Sequence, residues 1–297
     1  MSVPVAFCGL ELAHPVLNGS GTFDAIAARR VFGDALIADF PFSAFVSKTI
    51  TLAPRDGNPP PRLWETASGM LNSIGLPNKG LHAYLAEDLP QLAALPVPLI
   101  TNVMGATADE LSALVEACDA RDEISALELN VSCPNVATGL DLGADPASLA
   151  PVLRAVRPRT SKPLIVKLTP NTADVARVAE AAEAEGADAV SLINTLRGMA
   201  WHPDGSRRPW LGAGRGGLSG PAVRAVALAQ VAAVADRVAV PVVGMGGIQT
   251  PAHARQFLEA GATLVAVGTE SFRDPAVAGR IGAGIGDLAP QSGSAAR

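Results

Sequence analysis

The stretch PLIVKLTPNTADVARVAEAAEAEGADAVSLINT, residues 163–195, decides the fold. It opens on an apolar run, PLIVKLTP (163–170), then continues as ADVARVAEAAEAEG, whose apolar positions recur at helical spacing before a glycine stop. A second apolar run, AVSLINT (189–195), follows. Runs without polar alternation suit strands buried on both faces, as parallel strands are when helices cover them. Strand, helix and strand in that order predict a parallel crossover unit.

The pattern extends in both directions. Further apolar runs lie at PVLNGSG (15–21), SAFVSKTI (43–50), PLITNVMG (98–105) and ALELNVSC (126–133), and then at VPVVGMGG (240–247) and ATLVAVGT (262–269). Helical stretches fall between them. TADELSALVEACDA (107–120) begins with a threonine cap and an acidic first turn, and TPAHARQFLEAG (250–261) ends on glycine. Eight such units predict an α/β fold, a TIM (β/α)8 barrel, as a single domain spanning 1–297 with a flexible tail at 285–297. An open doubly wound sheet is the alternative, and it requires a reversal of strand order.

Composition narrows the function. The chain has 297 residues, 48% of them hydrophobic, and a net charge of −5 with no basic block, which argues against nucleic acid as a partner. No apolar run reaches the length of a membrane span, and the N-terminus lacks the charged and apolar regions of a signal peptide. Cys8, Cys118 and Cys133 lie far apart with no metal-ligand spacing, and the four histidines form no cluster. The expectation is therefore a cytoplasmic, reducing location without a disulfide framework or a metal.

The polar residues collect where the strands end. Asn18, Ser20, Lys48, Thr49, Asn102, Asn130, Cys133, Lys167, Asn194 and Thr195 all fall there, with Gly246, Gly247, Gly268 and Thr269. In a closed barrel the inward-facing members would converge on one face. Lys167 inside LIVKL is costly to bury without an anionic or polar partner. The alternatives are an ion pair with a neighbouring strand and a ligand contact, and the scarcity of acids at the other strand ends favours the ligand. Lys48 has the same two readings. Several asparagines around one mouth suit a flat polar heterocycle. GMGGI and VGTES end the last two strands, a frequent phosphate site in barrels. GAGRGG (212–217) matches a dinucleotide pattern, but no buried strand precedes it, so it reads as a flexible loop. The segments 51–79, 134–145 and 196–219 read as long loops above the barrel, 134–145 being a candidate to close over substrate.

The motifs NGSGTF, SKTIT, GMLNSIGLPNKG, TNVMG, NVSCPN, VKLTPN, LINT, GGLSGP, GMGGI and VGTESF together resemble the class 1 dihydroorotate dehydrogenases, in particular the catalytic subunit of type 1B. The resemblance runs from about residue 16 to about residue 273. It implies FMN, one per chain, and oxidation of (S)-dihydroorotate to orotate in pyrimidine biosynthesis. Cys133 would be the base that takes the C5 proton while the C6 hydride passes to flavin N5. Substrate contacts would be Lys48, Asn72, Ser73, Ile74, Gly75, Leu76, Asn130, Asn135, Asn194 and Thr195. Cofactor contacts would be Ser20, Lys48, Thr49, Asn102, Asn130, Lys167, Ile193, Gly220, Gly246, Gly247, Gly268 and Thr269. The family also implies a homodimer, or a heterotetramer with a partner subunit that carries FAD and a [2Fe–2S] cluster and passes electrons to NAD+. Fumarate as acceptor, a dihydropyrimidine dehydrogenase activity and a non-redox phosphate-binding barrel are the competing readings.

Overall fold

The eight apolar runs all form strands: β1 (Val16–Asn18), β2 (Phe45–Val46), β3 (Leu99–Val103), β4 (Ala126–Asn130), β5 (Leu164–Lys167), β6 (Ala189–Leu192), β7 (Val242–Met245) and β8 (Leu264–Val267). The structure, a computed structural model, describes residues 4–131 and 143–286. The strands pair in parallel from β2 through β8 and then to β1. Helices cover the outside: α1 (Ala25–Phe32), α2 (80–92), α3 (Ala108–Asp119), α4 (Pro146–Val156), α5 (Val175–Ala184), α6 (Arg224–Ala235), α7 (Pro251–Glu259) and α8 (Val277–Ile285). This is the expected (β/α)8 barrel. Of the expected tail at 285–297, Ile285 belongs to α8, and residues 287–297 lie outside the described residues.

Short side chains start the helices. Asp24, Thr107, Asp145, Asp174 and Thr250 each accept a hydrogen bond from a backbone N–H in the first turn, satisfying donors that a helix end leaves open. The turn that ends α5 is Gly186, at φ +88°, as the glycine in AEG suggested. Helix α2 carries a π turn over Tyr84–Asp88, and the buried Tyr84 hydroxyl pairs with Thr101 Oγ1 at 2.8 Å.

The seam between β1 and β2 is closed by a side chain. Asn18 Nδ2 donates to Val46 O and Asn18 Oδ1 accepts from Val46 N, both at 2.8 Å, while Ser43 N donates to Val16 O at 3.0 Å. The Asn18 amide thus does what a peptide group does in a ladder. Below it, a hairpin of Val5–Phe7 and Leu10–Leu12 inserts Phe7 and Leu12 into the barrel floor against Leu17, Ile100 and Leu264. Burying one such large side chain contributes roughly 1.5–3 kcal/mol.

The top of the barrel departs from the sequence reading. Segments 51–79 and 196–219, expected as irregular loops, fold together into a four-stranded antiparallel sheet in the order Leu196–Gly198, Gly216–Ser219, Gly69–Asn72, Leu63–Thr66. GAGRGG is not a flexible loop throughout, since Gly216 and Gly217 pair with Gly198 and Arg197. Glycine is needed here for space. A Cβ on Gly217 would overlap the Thr195 side chain, and one on Gly216 would overlap Asn72 O. Trp64 and Trp210 pack on this sheet with ring centroids 4.8 Å apart, and Trp210 Nε1 donates to Leu63 O at 2.9 Å.

Candidate active site

Register places the inward side chains in tiers. Asn102 on β3 is level with Glu128 on β4, and one tier higher Asn130 is level with Lys167 on β5. Alternation keeps Ala126, Glu128 and Asn130 on one face of β4. In the lower tier both carboxylate oxygens of Glu128 are engaged. Glu128 Oε2 accepts from Asn102 Nδ2 and Glu128 Oε1 accepts from Ser191 Oγ at 2.7 Å. The upper tier faces a cavity.

That cavity, of about 310 Å³, lies between the strand C-termini and the roof sheet. Its wall contains Ser20, Lys48, Thr49, Asn130, Lys167, Ile193, Asn194 and Thr195 from the barrel rim. Asn72, Ile74, Gly75 and Leu76 come down from the roof, and Gly220, Gly246, Gly247, Gly268 and Thr269 close one end. Seventeen expected contacts thus share one cavity. Two others do not line it. Alternation turns the Ser73 side chain away, its Oγ accepts from Asn58 Nδ2 at 2.9 Å, and it is fully buried. Asn102 lies beneath the lining tier and is also fully buried. Cys133 and Asn135 lie outside the described residues, as does most of the loop 134–145. The chain on either side of them is tied together, with Gly143 N donating to Val131 O at 2.9 Å.

Other lining residues were not singled out from the sequence. Leu63, Met70 and Phe272 are apolar, and Ser219 sits inside GGLSGP. Leu63, Met70 and Ser219 come together only through the pairing of the two distant segments, so no local signal marks them, while Phe272 follows the last barrel strand. Gly21, at φ +72°, also lines the cavity, and a Cβ there would come within 3.1 Å of Lys48 Nζ. It leaves room for the lysine.

The loop 72–78 is held rigidly. Gly75 and Leu76 both take positive φ, +75° and +56°. Such a conformation in a leucine is strained and needs support. Asn78 supplies it: Nδ2 donates to Leu76 O and to Thr51 Oγ1, each at 2.9 Å, and Oδ1 accepts from Gly80 N. Asn194 Oδ1 accepts from Thr195 N at 2.9 Å, which orients the amide at the end of β6.

Two features in this region call for a ligand. Lys167 is 6% exposed and, among the described residues, its side chain makes no hydrogen bond or ion pair. The ion-pair alternative for it is not realised, because Glu128, the acid on the next strand, is engaged by Asn102 and Ser191. Asn102 Oδ1 is buried without a partner. A buried lysine donor and an orphaned carbonyl together suit a ring bearing both acceptors and an N–H, which an isoalloxazine provides. At the glycine end, Gly220, Gly246 and Gly247 have φ of +87°, +137° and +71°, and a Cβ on Gly247 would come within 2.8 Å of Gly220 O. That cradle admits a phosphate against backbone. The residues present therefore fit FMN.

Residues 2–288 match the model of the dihydroorotate dehydrogenase family. The chain belongs to that family. Its members are oxidoreductases, and so is this enzyme. A protein of Geotalea daltonii named "Dihydroorotate dehydrogenase B (NAD(+)), catalytic subunit" is 46% identical over 97% of this chain and 93% of its own length. One of Geobacter sulfurreducens with the same name is 45% identical over 95% and 91%. The crystal structure of an Eimeria tenella dihydroorotate dehydrogenase with ferulenol superposes with a TM-score of 0.78. It covers 95% of this chain and 83% of that one at 23% identity, a likeness of fold. The competing non-redox barrel is thereby set aside.

Proposed function

We propose that this chain is the FMN-bearing catalytic subunit of a type B enzyme that oxidises (S)-dihydroorotate to orotate in pyrimidine biosynthesis. The observation that carries the reading is the meeting, in one cavity, of Lys48, Asn72, Asn130, Asn194 and Thr195 beside the unpartnered Lys167. The names of the relatives support the same substrate.

FMN would be held by Lys167, Asn102, Thr49, Ser20 and Ile193, with its phosphate in the glycine cradle. Bound there, it supplies a two-electron acceptor at N5 for the C6 hydride. The chain does the rest. Asn72, Asn130 and Asn194 supply uncharged donors and acceptors for the pyrimidine edge, and Lys48 supplies positive charge for the carboxylate. Leu63, Met70 and Leu76 of the roof exclude water from the cavity. Cys133, in NVSCPN, takes the C5 proton, which requires a thiolate, a form that positive charge favours. Asn135 completes the substrate contacts.

Electrons then leave to NAD+ through a partner subunit with FAD and a [2Fe–2S] cluster, in a heterotetramer built on a dimer of this chain in the cytoplasm. Among the described residues no helix is long and apolar enough to cross a membrane. The test is an assay of the purified, FMN-loaded chain. It should oxidise dihydroorotate with an artificial dye, but not reduce NAD+ until the partner is added. Turnover with fumarate alone would assign a different acceptor. Turnover of dihydrouracil but not dihydroorotate would overturn the substrate.

A further inference from the structure

Glu128 is a carboxylate deep in the barrel that the chemistry above does not use. It is 4% exposed, and its two oxygens accept from two neutral donors, Asn102 Nδ2 and Ser191 Oγ. No arginine or lysine is paired with it among the described residues. An apolar side chain would fill this place at less cost, because burying a carboxylate requires every lone pair to be served.

What Glu128 achieves is to fix an amide. Asn102 could lie either way round, since its oxygen and nitrogen ends have nearly the same shape. A carboxylate accepts and does not donate when ionised, so it selects the NH2 end of Asn102 and turns Oδ1 away. Asn102 Oδ1 is the buried acceptor left without a partner. Lys48 and Thr49, which follow the end of β2, and Asn130, two residues beyond Glu128 on β4, all line the cavity. An oxidised isoalloxazine has a single ring N–H, at N3.

We propose that Glu128 is a positioning residue for the flavin: through Asn102 it presents a fixed carbonyl acceptor to the flavin N3–H, with Ser191 holding the carboxylate in place. This rests on the FMN reading above. Glu128 does not touch the flavin, and its effect is on orientation and affinity.

The experiment uses flavin-free full-length chain titrated with FMN and with N3-methyl FMN, which cannot donate at N3, followed by quenching of flavin fluorescence. The wild type should prefer FMN by roughly tenfold or more, the scale of one hydrogen bond whose loss leaves a buried acceptor unmet. Glu128→Ala should lose that preference, weakening FMN while leaving N3-methyl FMN within about twofold. Glu128→Gln should retain it, because the amide oxygen can accept from Asn102 while its NH2 donates to Ser191 Oγ. Should Glu128→Ala not fold, Glu128→Met, which fills the space without an oxygen, carries the same expectation. Equal weakening of both flavins in these variants would mean that Glu128 only fills space, and would overturn the proposal. So would a wild type without preference. A wild type that binds neither flavin would instead overturn the FMN reading itself.

Discussion

Asn18 looks like a ligand-binding residue in the sequence and turns out to hold the barrel shut. Both its amide ends are used on Val46. Asn18→Ala would leave a buried N–H and C=O of Val46 unpaired, at a cost of roughly 2–4 kcal/mol by chemical denaturation. His14 is a second residue whose work is structural. Burial lowers its pKa from 6.5, Val16 N donates to its Nδ1, and Gly282 packs on the ring. His253 shifts the same way, from burial and then from the charge of Arg224. Both stay neutral in the fold while the unfolded chain takes up protons. Stability should therefore be full above about pH 6.5 and fall as pH drops below it, and His14→Gln should flatten that slope in urea titrations at several pH values. The cysteines separate by environment. Burial and Asp188 push the Cys8 thiol up to about 11, and burial pushes Cys118 up to about 12. Near neutral pH an alkylating reagent should therefore modify Cys133 first, counted by mass spectrometry, and orotate should slow it. Faster modification of Cys8, or no protection, would count against Cys133 as the base.

The elements differ in how readable they are. Barrel strands announce themselves because both faces are buried and the apolar run is unbroken, as in LIVKL. Helix starts are equally plain, because a single Thr or Asp fixes the cap. The roof sheet is hidden. Its strands are three or four residues long, are rich in glycine, and come from segments more than a hundred residues apart, so neither alternation nor a hairpin turn signals all the pairings. The direction of the Ser73 side chain is hidden for the same reason, since it depends on that sheet. The glycines of the roof are spacing elements. Gly217→Ala should push the Gly216–Ser219 strand off Thr195 and raise the KM for dihydroorotate about tenfold or more while flavin content is kept, measured with a dye acceptor. An unchanged KM would separate the roof from substrate binding.

At the scale of the molecule, tiers stack along the barrel axis: an apolar floor plugged by the N-terminal hairpin, a polar tier around Glu128, an open tier of Asn130 and Lys167, and a roof. The strand count and the rim residues were legible because alternation carries them to one face. The polar tier around Glu128 was not, because the Asn102–Glu128 pairing depends on register between strands 26 residues apart. The reaction assigned to the open tier has one direct test. FMN-loaded wild type mixed with dihydroorotate in the absence of any acceptor should bleach its flavin band in a single turnover. Cys133→Ser at neutral pH should still show the spectral shift with orotate but bleach at least a hundredfold more slowly, in the range expected when a positioned base is removed. A wild type that does not bleach, or a variant that bleaches at the wild-type rate, would contradict the account.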